Sequence, residues 1–351
     1  MSYGRALRTA RREPVDGTAL FENLDHPAFM QSLLGWDPWT DPVRAYRDSY
    51  RALDVDWIIG IPRRSVRFAP GETSRPGEDG ALYTEWGLAG SHWRHEYRFR
   101  DEESVLGFDP VENREHEPLV TVEYNLRNLE NRRADQELMG DSAIVSGVYY
   151  TTLFQFGIMV FDWELFLATA ASQPDRFQRV LEGFAEVSRR NLAAWAADDV
   201  DLIFIHDDIA TERGLVFSPE WYRRRLFPLY ERLLEPVKAR PRLSTVFVSD
   251  GNYAPVVDDL AAIGFDGFVV NSGMELGAIA RRLGHRVFLA GDVSTTILTL
   301  GTPDDVRRDV QRCREEAAPA GGHFLHAGGD LPHNIPLDNM KAYFDAAREG
   351  R

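Results

Sequence analysis

A chain of 351 residues can bury a large core without help from disulfides or metals, and it has the size of a decorated α/β barrel. With 44% hydrophobic and 27% charged residues it is not a disordered chain, and a net charge of −15 (55 acidic against 40 basic side chains) excludes a general binder of nucleic acid or of anionic membranes. An anionic substrate would need a local cluster of arginines or backbone N–H groups working against that field.

Along the chain, the opening MSYGRALRTARREPVDG has no apolar stretch of the signal-peptide kind, and no segment approaches the ~20 apolar residues of a membrane span. A cytoplasmic location is the expectation. Trp57–Ile61 reads as a strand. Residues 63–140 break the rhythm with Pro70-Gly71, Pro76-Gly77 and mixed charge, and read as a β-hairpin and helical insertion near the barrel mouth, able to cover it. Ala143–Tyr150 is the next strand, and Leu202–His206 (LIFIH) a buried one. Ser218-Pro219-Glu220 opens a helix with an N-cap, a proline at N1 and an acid in the first turn. Thr245–Val248 is followed by a helix over Ala254–Ile263 that stops at Gly264. Gly267–Val270 precedes a helix ending near Gly284, Arg286–Ala290 precedes the helix Pro303–Ala317, and His323–His326 precedes the last helix, Leu337–Arg348. Short β-branched strands alternating with helices imply a parallel sheet. The expected fold is a (β/α)8 TIM-type barrel, one domain over residues 1–351 with an N-terminal extension.

In such a barrel the reacting groups follow the strands. That rule selects Tyr149 and Tyr150; His206, Asp207 and Asp208; Ser249, Asp250 and Asn252; Asn271; Asp292; and His326. The adjacent acids Asp207 and Asp208 suit a divalent metal, proton transfer or a substrate cation; the plain alternative is that one caps a turn and the other is solvated. Asp250-Gly251-Asn252 offers an acid and an amide beside a glycine that lets a ligand approach, although the tripeptide equally suits an Asx turn. His326 and His333 flank Gly328-Gly329-Asp330, where a histidine serves as acid, base or metal ligand, or simply as a hydrogen-bonded structural residue. His92, His95 and His116 fall in the insertion, where surface positions are the default. Arg213 could clamp a carboxylate or pair with Asp208 or Glu212, and Arg63 and Arg64 are a second anion-binding candidate. The single cysteine, Cys313, rules out an intrachain disulfide and an all-thiolate metal site, and packing is its expected role. There is no G-x-S-x-G elbow, no P-loop and no G-x-G-x-x-G after a strand.

The segment IHDDIATERGLVFSPEWYRRRLFPLY (residues 205–230), together with LAGDVSTTILTLGTPDDVRRDV, GGHFLHAGGDLPHNIPLDNM, REPVDG and TEWG, resembles the ordered blocks of the uroporphyrinogen-decarboxylase-like superfamily over nearly the whole chain. That superfamily includes the haem-pathway decarboxylase and corrinoid-linked methyltransferases. The resemblance implies the barrel and an enzyme of one of these two kinds. It departs from both in the chemistry. The zinc-containing methyltransferase branch carries H-x-C-G after the fifth strand and a further cysteine near the C-terminus; here the corresponding positions are Val248, Asp250 and Gly329. A thiolate-rich zinc site is therefore absent, and Asp250 suits a harder site. The arginine-rich R-Q-A-G-R motif of the decarboxylase has no counterpart, and its aspartate after the first strand is replaced in the 60–62 region. A housekeeping haem enzyme is not expected.

The leading expectation is an enzyme for a small polar or carboxylated substrate at the barrel mouth, with methyl transfer through a corrinoid carried by a partner protein. Asp208, Asp250, His326 and Asp207 are the catalytic candidates. Tyr149, Tyr150, Arg63, Arg64, His206, Arg213, Asn252, Asn271 and Asp292 are the substrate-binding ones. Asp250 and His326 would hold a divalent metal such as zinc. The alternative is a cofactor-independent decarboxylase or lyase on a smaller substrate, its arginines binding carboxylates. A non-catalytic binding barrel is the third reading, and a homodimer is one admissible assembly.

Overall fold

The structure, a computed structural model, describes residues 2–63, 75–76, 82–86, 88, 91–94, 97–112, 122–149 and 152–349. Eight strand positions run along the chain, at Ala19–Leu20, Trp57–Ile58, Ile144–Val145 continuing into Gly147–Tyr149, Leu202–His206, Ser244–Val248, Gly267–Val269, Phe288–Ala290 and His323–Leu325. Helices separate the later strands, the construction of an α/β barrel of the TIM type.

The chain divides into two compact units: residues 1–93, 133–146 and 266–351, and residues 94–132 and 147–265. In the first unit, Gly267–Val269 pairs with Phe288–Ala290, which pairs with His323–Leu325, which pairs with Ala19–Leu20, all parallel. A bridge from Phe21 to Trp57 continues the series to Trp57–Ile58, itself parallel to Ile144–Val145. In the second unit, Gly147–Tyr149, Leu202–His206 and Ser244–Val248 lie parallel in that order. The strands of each unit are buried, as their unbroken apolar runs require.

The helices follow from their apolar spacing. Pro174–Ala196 buries Phe177, Val180, Leu181, Phe184, Val187, Leu192 and Trp195, one face at helical period, against the Phe227–Lys238 helix. Ser218 accepts from Trp221 N at 3.2 Å with Pro219 at N1, as read from the sequence. Gly264 ends the Val257–Ile263 helix at φ +111°, a conformation glycine adopts without strain. Thr302 and Asp305 form a capping box at the start of Pro303–Ala317.

Several expected elements are shorter than read. Trp57–Ile61 ends at Ile58, because Asp135 takes the Ile61 N–H at 3.0 Å. Arg286–Ala290 begins only at Phe288, since the N–H groups of Arg286 and Val287 both turn back to the Leu283 carbonyl. The Ala254–Ile263 helix opens as a 3-10 turn over Ala254–Val256. Elements that were not anticipated include the Ala19–Leu20 strand, the long Pro174–Ala196 helix and a short helix, Thr295–Leu300, capped by Ser294. The insertion contains the expected β-structure at Arg75–Pro76, Leu82–Trp86 and Ser91–Arg94, and helices Glu102–Gly107 and Val122–Met139. No helix among the described residues is long and apolar enough to cross a membrane.

Gly267 marks how closely neighbouring strands pack: a Cβ there would stand inside the Phe288 ring. Gly267→Ala should therefore cost about 1–3 kcal/mol of stability through overpacking, read as a lower urea midpoint at unchanged slope.

Candidate active site

The second unit gathers its polar strand-end residues through one register. Val248 lies opposite His206, so the residues two positions on, Asp208 and Asp250, come level with each other. Their donor atoms converge: one atom each from His206, Asp208 and Asp250 lies within 4.8 Å of the others. His206 Nε2 is 3.1 Å from Asp208 Oδ1, and the Asp250 N–H donates to the same oxygen at 2.8 Å. His206 is buried, Asp208 half-buried and Asp250 open to solvent, so the group faces outward from a buried base.

The charges in this group influence one another. Burial opposes the imidazolium of His206, but the negative charge of Asp208, with Asp250 and Asp207 beyond it, more than offsets this and raises its pKa. Burial likewise opposes the Asp208 carboxylate, and the contact with His206 outweighs it, so that Asp208 lies below its ordinary value. Partial burial and the charge of Asp208 hold Asp250 above its own.

Local packing fixes these residues. The Asp207 carboxylate is wholly buried and accepts from Phe154 N at 3.1 Å, Gln155 N at 2.5 Å and the Tyr230 hydroxyl. Burial lifts it to about 6 despite these donors. Asp207 thus ties its strand to two helices. Ser249 accepts from Ile209 N at 3.0 Å and donates to the Asp250 carbonyl at 3.0 Å. Gly251, at φ +76°, lies so close to the Thr211 backbone that a Cβ would overlap it, and Asn252 N donates to Thr211 O at 2.9 Å. The Ala210–Leu215 hairpin is thereby fastened to the loop that carries Asp250. Asn252 Oδ1 accepts from Ala254 N at 3.1 Å, the Asx turn weighed from the sequence. Arg213 sits exposed in the turn of that hairpin.

The first unit holds the other candidates. His326 stacks on Phe21 at 4.2 Å, bonds the Phe21 carbonyl through Nδ1 at 3.1 Å, and is pushed by burial down to about 4, so it is a neutral imidazole near pH 7. Its Nδ1 is 3.9 Å from Glu22 Oε2. Glu22, which the sequence reading passed over, is fully buried; its other oxygen accepts from the Tyr343 hydroxyl and from Ala327 N. Burial raises it well above the usual carboxylate range. A lone acid after a three-residue apolar run gives no periodic signal, which is why it was missed. Asp292 pairs with Arg312 at 2.9 Å, and burial still raises it to about 6. Asn271 accepts from Met274 N at 3.0 Å through its carbonyl, closing a turn. Arg63 is paired with Asp135 at 2.7 Å. His333 is exposed. Cys313 donates to the Gly291 carbonyl at 2.8 Å in the core, the packing role expected of it. Arg64, Tyr150, His95 and His116 lie outside the described residues, as do the side chains of Tyr149 and His92.

The metal-competent group among the described residues is thus His206, Asp208 and Asp250. In it Asp250 stands beside residues of the neighbouring strand end, whereas His326 has Glu22 and Phe21 for company.

Fold and strand-end chemistry define an α/β-barrel protein of the enzyme type. The family model described as uroporphyrinogen decarboxylase (URO-D) matches residues 141–350, more than half of the chain, and the chain belongs to that family. It is 24% identical to the uroporphyrinogen decarboxylase of Alkalilimnicola ehrlichii, over 98% of this chain and 93% of that protein. Identity to the Xylella fastidiosa uroporphyrinogen decarboxylase is 26%, over 52% of each. Among solved structures, a methyltransferase from Methanosarcina mazei superposes with a TM-score of 0.69 at 19% identity, covering 99% of this chain and 98% of the other. The barrel expected from the sequence is therefore a shared fold.

Two outcomes follow from the buried acids. Asp207→Ala strands two N–H donors and the Tyr230 hydroxyl, and should cost about 3 kcal/mol or more in chemical denaturation. Asp292 ionises near 3.8 in the unfolded chain and near 6 when folded, so between those values the folded state holds the extra proton and stability falls as pH rises. Relative to Asp292→Asn, the native protein should lose about 2–3 kcal/mol between pH 4 and pH 6.5 in denaturation curves.

Proposed function

We propose that this chain is a metal-dependent enzyme acting on a small polar substrate beside His206, Asp208 and Asp250, and that its reaction is methyl transfer with a corrinoid-bearing partner protein. The observation that carries the reading is the convergence of three donor atoms from two adjacent strand ends. The donor set fits a divalent cation. The 3.1 Å between His206 Nε2 and Asp208 Oδ1 is close to the ~3 Å separating neighbouring ligands when each sits about 2.0–2.1 Å from zinc. One imidazole and two carboxylates form a harder set than thiolates, and three protein ligands leave a position for substrate. A hydroxyl or carboxyl oxygen is the acceptor such a site favours, in contrast to a thiol. A bound cation there would polarise that oxygen and ease its deprotonation.

The chain's own residues supply the rest. His206 presents Nε2 from a buried position, with its backbone carbonyl held by the Thr152 hydroxyl at 2.6 Å. The Asp250 N–H, bonded to Asp208, fixes the facing direction of that carboxylate. Arg213, exposed in the hairpin turn, would take the part of meeting a substrate carboxylate. The methyltransferase from Methanosarcina mazei supports the class of reaction through its shared fold.

A second reading, a carboxy-lyase for a small carboxylated substrate, is favoured by the family match itself. There Arg213 would hold the carboxylate and Asp250 would return a proton to the carbanion. Arg63, engaged by Asp135, is less suited to that work.

Purified protein should carry about one equivalent of zinc, or of another divalent metal, by mass spectrometry. Asp208→Ala and Asp250→Ala should lower affinity by more than the roughly 10–100-fold that follows loss of an outer-shell partner. Methyl transfer from methylated donors to a corrinoid should fall in parallel. Metal-free protein that releases carbon dioxide from small carboxylates, unaffected by chelators, would select the lyase instead.

A further inference from the structure

A second cleft, of about 230 Å³, lies in the first unit where the Ala19–Leu20 and His323–Leu325 strands begin. It is therefore at the opposite end of those strands from Glu22 and His326. Its walls come from the segment before the first strand, from the last turn of the Pro303–Ala317 helix and from the Ala318–Gly322 loop. Three titratable side chains line it: Glu13, Arg314 and His323.

Arg314 carries the positive charge of these three. Its guanidinium is half-buried and makes one hydrogen bond, from Nη2 to the Ala347 carbonyl at 2.8 Å. Nε is buried without an acceptor. No carboxylate of the described residues pairs with it, whereas Arg5, Arg63 and Arg312 each have one. Burial pulls its pKa below the ordinary arginine value, outweighing the opposing influence of Cys313, Tyr343 and Glu349. A guanidinium remains charged all the same, and a desolvated charge with unused donors is costly until an anion meets it.

His323 does not share that charge. Its Nε2 bonds the Gly291 carbonyl at 2.6 Å, so that nitrogen carries the proton, and burial pushes the ring down to about 4. Arg314 is thus the cation among the described residues that line the cleft. Glu13 is the anion among the described lining residues; it is exposed, and its backbone N–H donates to the Arg8 carbonyl at 2.8 Å. A simple anion would gain from Arg314 and lose to Glu13, and a doubly charged phosphate would lose most. A small molecule that carries both signs satisfies both groups.

We propose that this cleft binds a small amino-carboxylate, with the Arg314 guanidinium on its carboxylate and Glu13 on its ammonium group. The site is independent of the chemistry assigned to His206, Asp208 and Asp250. Its distance along the strands from Glu22 and His326 gives it the character of a regulatory or sensing site.

Calorimetric titration of the full chain at low ionic strength tests this with L-alanine and L-leucine, using acetate, ethylamine and phosphate as partial probes. One amino acid should bind per chain, at least about tenfold more tightly than acetate or ethylamine, the contribution of one charge-assisted contact. Arg314→Gln should weaken amino-acid binding by about tenfold or more, and Glu13→Gln by a few-fold without weakening acetate. Glu13 is exposed, so its variant remains informative even if Arg314→Gln disturbs the helix end that Arg314 touches. Absence of amino-acid binding, acetate or phosphate binding as tightly as alanine, or affinity unchanged in Glu13→Gln would each overturn the proposal. Retention of divalent metal by both variants is expected, and separates this site from the other.

Discussion

The parallel ladder between Leu202–His206 and Ser244–Val248 is the constraint on which the candidate site depends. Five residues of each strand pair in unbroken register, ending with His206 opposite Val248. Because side chains in a strand alternate, a slip of one residue would turn Asp250 away from Asp208 and bring Asp207 into its place. The buried apolar side chains of both strands oppose such a slip. Asp207 adds a polar lock, since its carboxylate satisfies two helix N–H groups and a tyrosine hydroxyl that would otherwise be buried without partners.

Adjacent acids therefore divide into two kinds of work. Asp207 points into the protein and is consumed by structure; Asp208 points outward and is held by His206 and the Asp250 backbone. The same division recurs in the first unit, where Glu22 and Asp292 are buried and lifted above ordinary carboxylate behaviour. A chain with net charge −15 places several acids where hydration is lost, and compensates each with a tyrosine, an arginine or a backbone amide. Those compensations are specific contacts, so they also fix the directions in which the strand ends point.

Membership of the URO-D family fixes the scaffold and leaves the donors to be read from the chain itself. Where the resemblance calls for thiolates, the chain supplies Asp250, and its one cysteine is spent on the Gly291 carbonyl. Under the proposed function, replacing sulfur by oxygen would favour an oxygen atom over a thiol at the site, a consequence of ligand hardness rather than of fold.

Periodicity alone determined the strand–helix alternation, the Leu202–His206 strand, the Pro303–Ala317 and Leu337–Arg348 helices, and the caps at Ser218 and Gly264, because burial pattern and local backbone chemistry decide these. The rule that barrel residues follow their strands also brought Asp208 and Asp250 forward. The tertiary structure decided what no local pattern holds. A two-residue strand at Ala19–Leu20 exists only through its neighbours, and Glu22 rides on it. Asp207 and Asp208 look alike in sequence and differ only in what packs against them. His206 joins Asp208 and Asp250 because a register between distant segments sets their heights, and register is a property of pairs of strands rather than of either one.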